Sequence, residues 1–230
     1  MNNAPSFSIG EVEALVLKAY RGAGFSWGMA QEAGKAAGWL AGHRLPALDA
    51  FAKLLGQTAG QPHDQLAPVI TSDLWPAVWT GSSNQLCPVV TGTLLSDLGS
   101  TVLEGQASAT FLSVATPLIL VPFVAALGVP AVLRVSSVEV FICGNTIEPF
   151  SVTQTLVGKI DVTLVLVARH AQPGNSKPGS TRHDRFTPAV RGVGDVESVD
   201  LLETLAHQTY VPATQASRES GAGAGLTDDD

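Results

Sequence analysis

Charge is scarce in this chain. Only 14% of its 230 residues are Asp, Glu, Lys or Arg, against about a quarter in ordinary soluble domains. The 13 basic residues are outnumbered by 20 acidic ones, and the net charge is −7. No Lys/Arg cluster occurs anywhere, so the electrostatic footprint of a nucleic-acid binder is missing. Cysteine is nearly absent. Cys87 and Cys143 stand far apart, in no C-x-x-C pair and no metal-ligand spacing, and read as two buried, reduced thiols. The start, Met1-Asn2-Asn3-Ala4-Pro5, has no basic segment followed by an apolar run, so no secretory signal is expected. Together these point to the cytoplasm. His43, His63, His170, His183 and His207 are scattered, without H-x-x-x-H or H-E-x-x-H, and no metal site is expected. There is no P-loop and no G-x-S-x-G elbow. Gly22 to Gly28 has one residue too many for a dinucleotide loop and follows a helix pattern, not a strand. No cofactor can be assigned.

One long uncharged run needs weighing, from Glu104 to Arg134. Its length is sufficient for a bilayer. However, Pro117, Pro122 and Pro130 interrupt it, and no basic flank marks an inside face. A buried strand with short core segments explains the same run, and no membrane partner is expected.

What is present is apolar: 45% of the residues are hydrophobic, enough for a sizeable core. The spacing predicts an α+β fold in one domain over 1–230, with N-terminal helices packed on a mostly antiparallel central sheet. Its parts are a helical stretch over 1–56, a sheet core over 57–170, a polar loop over 171–195, and a helix with an ordered Gly-rich tail over 196–230. Ser8 and Glu11 have capping-box spacing, and Gly22 and Gly24 end the first helix. Ser26 caps a second helix. On it Ala30, Ala33, Gly34, Ala37, Gly38 and Ala41 form one stripe, which implies that another backbone comes very close. A third helix is expected from Pro46 to Leu55. Val69-Ile70-Thr71, Leu86 to Leu95, Ala131 to Cys143 and Lys159 to Ala168 read as strands. A last helix covers about Glu197 to His207.

Two segments concentrate the groups that could do chemistry. The first runs Arg21-Gly22-Ala23-Gly24-Phe25-Ser26-Trp27-Gly28, continuing through Glu32 to Lys35. The second is the tail from Ser217-Arg218 to Asp228-Asp229-Asp230, with Gly221, Gly223 and Gly225. Each sets an arginine near Gly-Ala-Gly. An arginine fork suits a carboxylate or phosphate, and glycine N–H groups can add donors. The plain alternative is that Arg218 pairs with nearby acids and the small residues only permit close packing. The three terminal acids could supply oxygens to Mg²⁺ or Ca²⁺, although adjacent acids at a terminus are more often solvated.

The same residues carry a resemblance. Arg-Gly-Ala-Gly-x-Ser-Trp-Gly-x-Ala-x-Glu-Ala-Gly-Lys-Ala at 21–36 resembles the N-terminal signature of a bacterial family of unknown function, domain-of-unknown-function family 3726. Tyr210-Val211-Pro212-Ala213, with Ser217-Arg218 to Asp230, is similar to that family's ending. Asp229 stands here where the family's ending has Asn. The resemblance implies no activity, cofactor or catalytic residue.

The expectation is a protein that binds an anionic small metabolite where the two segments meet. Arg21 and Arg218 would hold the anion, and Ser26 and Ser217 would donate hydrogen bonds. Trp27 would wall the pocket, Lys35 would be a second cation, and the tail glycines would supply backbone donors. Glu32 or Asp228 would be the general base if a reaction occurs, its pKa raised to work near neutrality. Lys35 is also placed as the i+3 surface partner of Glu32, and Trp27 as a core residue. The rival expectation is a non-catalytic assembly module, a homo-oligomer using the Ala/Gly stripe and a docked tail.

Overall fold

The computed structural model describes residues 4–58, 60–61, 63–70, 77–82, 85–98, 108–136, 138–148, 159–166 and 188–210. The chain is α+β. Three helices come first: α1 (Ile9–Gly22), α2 (Trp27–Gly42) and α3 (Ala47–Thr58). Ser8 starts α1 with the expected reciprocal cap. Its Oγ accepts from the Glu11 N–H at 3.3 Å, and the Glu11 carboxylate accepts from the Ser8 N–H at 2.6 Å. Ser26 caps α2 by accepting from the Met29 N–H at 3.4 Å.

The Ala/Gly stripe of α2 is spent inside the chain, against α1. A Cβ at Gly34 would stand 2.9 Å from the Glu13 carbonyl oxygen. Only a residue without a side chain lets the two backbones come so close. Tyr20 of α1 is fully buried, with its ring 4.8 Å from that of Phe25 and 5.8 Å from that of Phe51.

Among the described residues the sheet has seven strands: β2 (Pro68–Ile70), β3 (Ala77–Gly81), β4 (Ser108–Ala115), β5 (Ala131–Val135), β6 (Val138–Cys143), β7 (Thr146–Glu148) and β8 (Lys159–Leu166). Their spatial order is β2-β3-β4-β8-β5-β6-β7. β3 and β4 run parallel and the other neighbours antiparallel. Val162 and Leu164 of β8 are buried, as the alternation in that segment predicts. The uncharged run resolves into β4, a 3-10 turn at Pro117–Ile119, α5 (Leu120–Ala126) and β5. No helix among the described residues is long and apolar enough to cross a membrane.

Three expectations are corrected. Leu86 to Leu95 is not a strand: Leu86 makes one bridge to Val114, and α4 (Pro88–Asp97) follows. Proline suits the first helical position, and a helix buried on most sides has the same unbroken apolar run as a strand. Ala131 to Cys143 is two strands, β5 and β6, turned at Ser136 with φ 54°. Cys143 is exposed while Cys87 is buried, and both are free. The segment from Lys159 to Leu166 is a strand as expected; Thr71, Ala168 and the Gly-rich tail lie outside the described residues.

The end of the polar loop is also ordered. Residues 188–195 return to the helices, and β9 (Arg191–Val193) pairs antiparallel with β1 (Ser6–Ser8). The final helix, α6 (Val196–His207), follows at once and packs on α1 and α3.

Candidate functional site

The N-terminal signature segment folds into the tight corner between α1 and α2. Gly22 lets α6 approach: a Cβ there would stand 1.7 Å from the Leu205 carbonyl oxygen. Gly24 takes φ 92°, the left-handed turn that brings the chain round. Arg21 donates a hydrogen bond to the Phe25 carbonyl, and its guanidinium lies 5.9 Å from the centre of the Trp27 ring. Trp27 is 58% exposed, so it is not the core residue that its size suggests. Ser26 accepts from Met29 as the α2 cap. Further along α2, Glu32 and Lys35 form a 2.8 Å ion pair on an exposed face. The structure therefore gathers Arg21, Ser26 and Trp27, and sets Glu32 with Lys35 apart as a surface pair. Ser217, Arg218, Gly221, Gly223, Gly225 and Asp228 lie outside the described residues.

A hollow of about 690 Å³ opens elsewhere, between the α2–α3 corner and the β9–α6 corner. That volume is typical of small-molecule sites. Four charged residues line it: Arg44, Asp49, Arg191 and Asp195. None of Arg21, Ser26, Trp27, Glu32 or Lys35 does. A second hollow of about 420 Å³ shares Pro46, Asp49 and Asp195 with it and adds Lys53 and Glu197.

Local structure places each of the four. Helix α2 ends in a paired turn, with the Arg44 N–H donating to the Ala41 carbonyl at 2.9 Å and the Leu45 N–H to the Leu40 carbonyl at 3.0 Å. That motif needs a left-handed residue just past the helix, usually glycine. Here Arg44 fills it, at φ 58°. Asp49 stands in the first turn of α3. β9 is held to the α2 end by a 2.8 Å bond from the Ala189 N–H to the Gly42 carbonyl. Arg191 donates through Nε to the Ser6 hydroxyl at 2.8 Å and through Nη2 to the Ser6 carbonyl. Asp195 caps α6, accepting from the Ser198 N–H at 2.7 Å and its hydroxyl at 2.9 Å.

The two carboxyls are tied together. The Asp195 N–H donates to Asp49 Oδ1 at 2.9 Å. Burial raises the Asp49 pKa above its ordinary value, against the lowering effect of that N–H, and the neighbouring Asp195 adds to the rise. Asp195 is held below its ordinary value, chiefly by the Ser198 backbone N–H. One environment thus favours a proton and the other a charge, the arrangement that separates acid from base in paired carboxylates. His43 stacks on Trp39 with ring centres 3.6 Å apart, and burial lowers its pKa. The fixed positive charge at this corner is therefore that of Arg44.

Among the described residues no group of three or more His, Cys, Asp and Glu could hold a metal ion. The sequence reading missed all four residues of the hollow. A faint signal existed: Arg44 stands where a helix-ending glycine is usual, and Asp195 has the spacing of a cap to Ser198.

Residues 7–77 match the model of a family described as protein of unknown function (DUF3726). The match covers α1, α2, α3, Arg44 and Asp49, but neither Arg191 nor Asp195. No curated protein matches the sequence. Among solved structures, malate dehydrogenase from Entamoeba histolytica aligns at 11% identity and a TM-score of 0.42. The alignment covers 58% of this chain and 39% of that one. A likeness so slight assigns neither fold nor activity.

Proposed function

We propose that this chain, which belongs through residues 7–77 to the family of proteins of unknown function DUF3726, binds an anionic small molecule in the hollow beside Arg44. The observation that carries the reading is the backbone of Arg44. An L-residue in the left-handed region costs roughly 1–2 kcal/mol, which glycine would avoid. Strain of this kind is kept where the side chain has work to do. Arg44 makes no ion pair among the described residues, and it lines a hollow large enough for a metabolite. A guanidinium matches a carboxylate or phosphate through two parallel hydrogen bonds. Arg191 also lines the hollow; Ser6 holds its guanidinium, and its positive charge also acts on the Glu11 carboxylate.

Arg21, which does not line the hollow, and the tail from Ser217 remain part of the proposal as further contributors. Two unpaired cysteines support a cytoplasmic setting.

The test is a thermal-shift screen of carboxylates, phosphates and amino acids on the full chain, on Arg44→Gly and on a chain ending at Ala216. A ligand that binds the native state raises its melting temperature by mass action. The expected result is a shift in the full chain that Arg44→Gly loses. Shifts of equal size in the full chain and Arg44→Gly overturn the reading. Equal shifts in the full chain and the shortened chain remove the tail from it.

A further inference from the structure

The hollow holds charges of both signs that do not neutralise one another. Arg44 and Asp49 line it together, and so do Arg191 and Asp195. The ion pairs among the described residues are Lys35–Glu32 and Arg134–Glu139, so none of these four has an opposite charge from the described residues within salt-bridge distance. Left to itself, a guanidinium beside a carboxylate would close on it. Here three of the charges are instead held by local structure, and Arg44 has its backbone fixed at a helix end while the residue stays exposed. Arg191 is bound to Ser6 and Asp195 to Ser198. Asp49 accepts from the Asp195 backbone.

A purely anionic ligand meets a difficulty in such a site. Its negative charge would sit against Arg44 but also near two carboxyls, and like charges at short range oppose binding. A ligand with a cationic end removes the conflict. It would also relieve Asp49, which is half-buried and shares its wall with a second carboxyl.

We infer that the ligand is a small zwitterion of the amino-acid class, its carboxylate against Arg44 and its ammonium against Asp49 on the wall common to both hollows. This rests on the anion-binding reading above and narrows it.

Calorimetric titration of the full chain at neutral pH tests it. The probes are glycine, alanine and γ-aminobutyrate, set against acetate, propionate and butyrate, with inorganic phosphate alongside. At least one zwitterion binds about tenfold or more tightly than its deaminated counterpart, the scale of one hydrogen bond to a charged group. Asp49→Asn keeps the acceptor for the Asp195 N–H but removes the charge. In that variant the preference falls to near parity while carboxylate affinity holds or improves. Arg44→Gly weakens both probe classes. Equal binding of zwitterions and carboxylates by the unaltered protein overturns the inference and leaves the anion reading standing. So does a preference that Asp49→Asn leaves unchanged. Binding by neither class, with phosphates binding, also overturns it, and binding by no anion at all overturns both readings.

Discussion

Replacing Gly22 by alanine adds one methyl group where two helices touch. An ideal Cβ at that position lies 1.7 Å from the Leu205 carbonyl oxygen and 2.6 Å from its carbonyl carbon. Carbon and oxygen settle at roughly 3.3 Å even in close contacts, so the gap is short by about 1.6 Å. The obstacle is backbone, and no rotamer change can clear it. Helix α6 must shift, which loosens Val199, Leu202 and Leu205 in the core they share with α1 and α3. Overpacking of this kind costs about 1–3 kcal/mol, occasionally more. The gain in helix propensity is at most about 1 kcal/mol and smaller at the last helical residue. Packing therefore wins. At about 2–4 °C per kcal/mol for a chain of this size, Gly22→Ala should melt roughly 1–10 °C below the unaltered protein. Gly28→Ala is the control, since no atom lies within 4 Å of its added Cβ; it should melt at or slightly above the parent. Differential scanning calorimetry of both variants decides the matter. A Gly22→Ala protein as stable as the parent would refute the close α1–α6 contact.

Arg44→Gly should make the protein more stable while costing it ligand. Relief of left-handed strain, less the entropy gained by the unfolded chain, leaves about 0.5–1 kcal/mol, read as a melting temperature higher by roughly 1–4 °C. A lower melting temperature would mean that Arg44 holds the fold together. Asp49→Asn should raise the melting temperature at pH 7. Because burial raises the folded pKa of Asp49, its ionisation destabilises the native state as pH climbs from the unfolded value through the folded one. The advantage of the variant should shrink as pH falls and vanish by about pH 4; melting curves across that range showing a constant gap would contradict it. Asp195, with its lowered pKa, acts in the opposite sense. Its contribution is present above the unfolded value and lost as pH falls through the folded one. Thr91→Val should stabilise by about 1 kcal/mol or more in urea unfolding, because the buried Thr91 hydroxyl has no hydrogen-bond partner among the described residues, whereas Thr93 nearby donates to the Val89 carbonyl. A loss of stability would show that the hydroxyl is satisfied.

The helical part of the fold was legible because its signals are local. The Ser8–Glu11 cap, the Ser26 cap and the left-handed Gly24 each act within a few residues, and backbone hydrogen bonding enforces them. The small-residue stripe likewise implied a near backbone, though not which one. The segment at Leu86 failed because an all-apolar run has no period to read once every side is buried. Site residues were least legible. Arg21, Ser26, Glu32 and Lys35 stood out for their chemistry, yet the turn and the helix surface employ all four. Arg44, Asp49, Arg191 and Asp195 carry no shared motif.

Sequence alone settled the low charge, the α+β character and the start of each N-terminal helix, since propensity, capping and burial are properties of short stretches. The tertiary structure alone decided that α1 answers the glycines of α2, and that β9 returns across well over a hundred residues to lie beside β1. That return brings the Asp195 N–H onto Asp49 and sets Arg191 on the hollow that Arg44 also lines. Such a meeting depends on where distant surfaces bury one another, and no spacing along the chain encodes it.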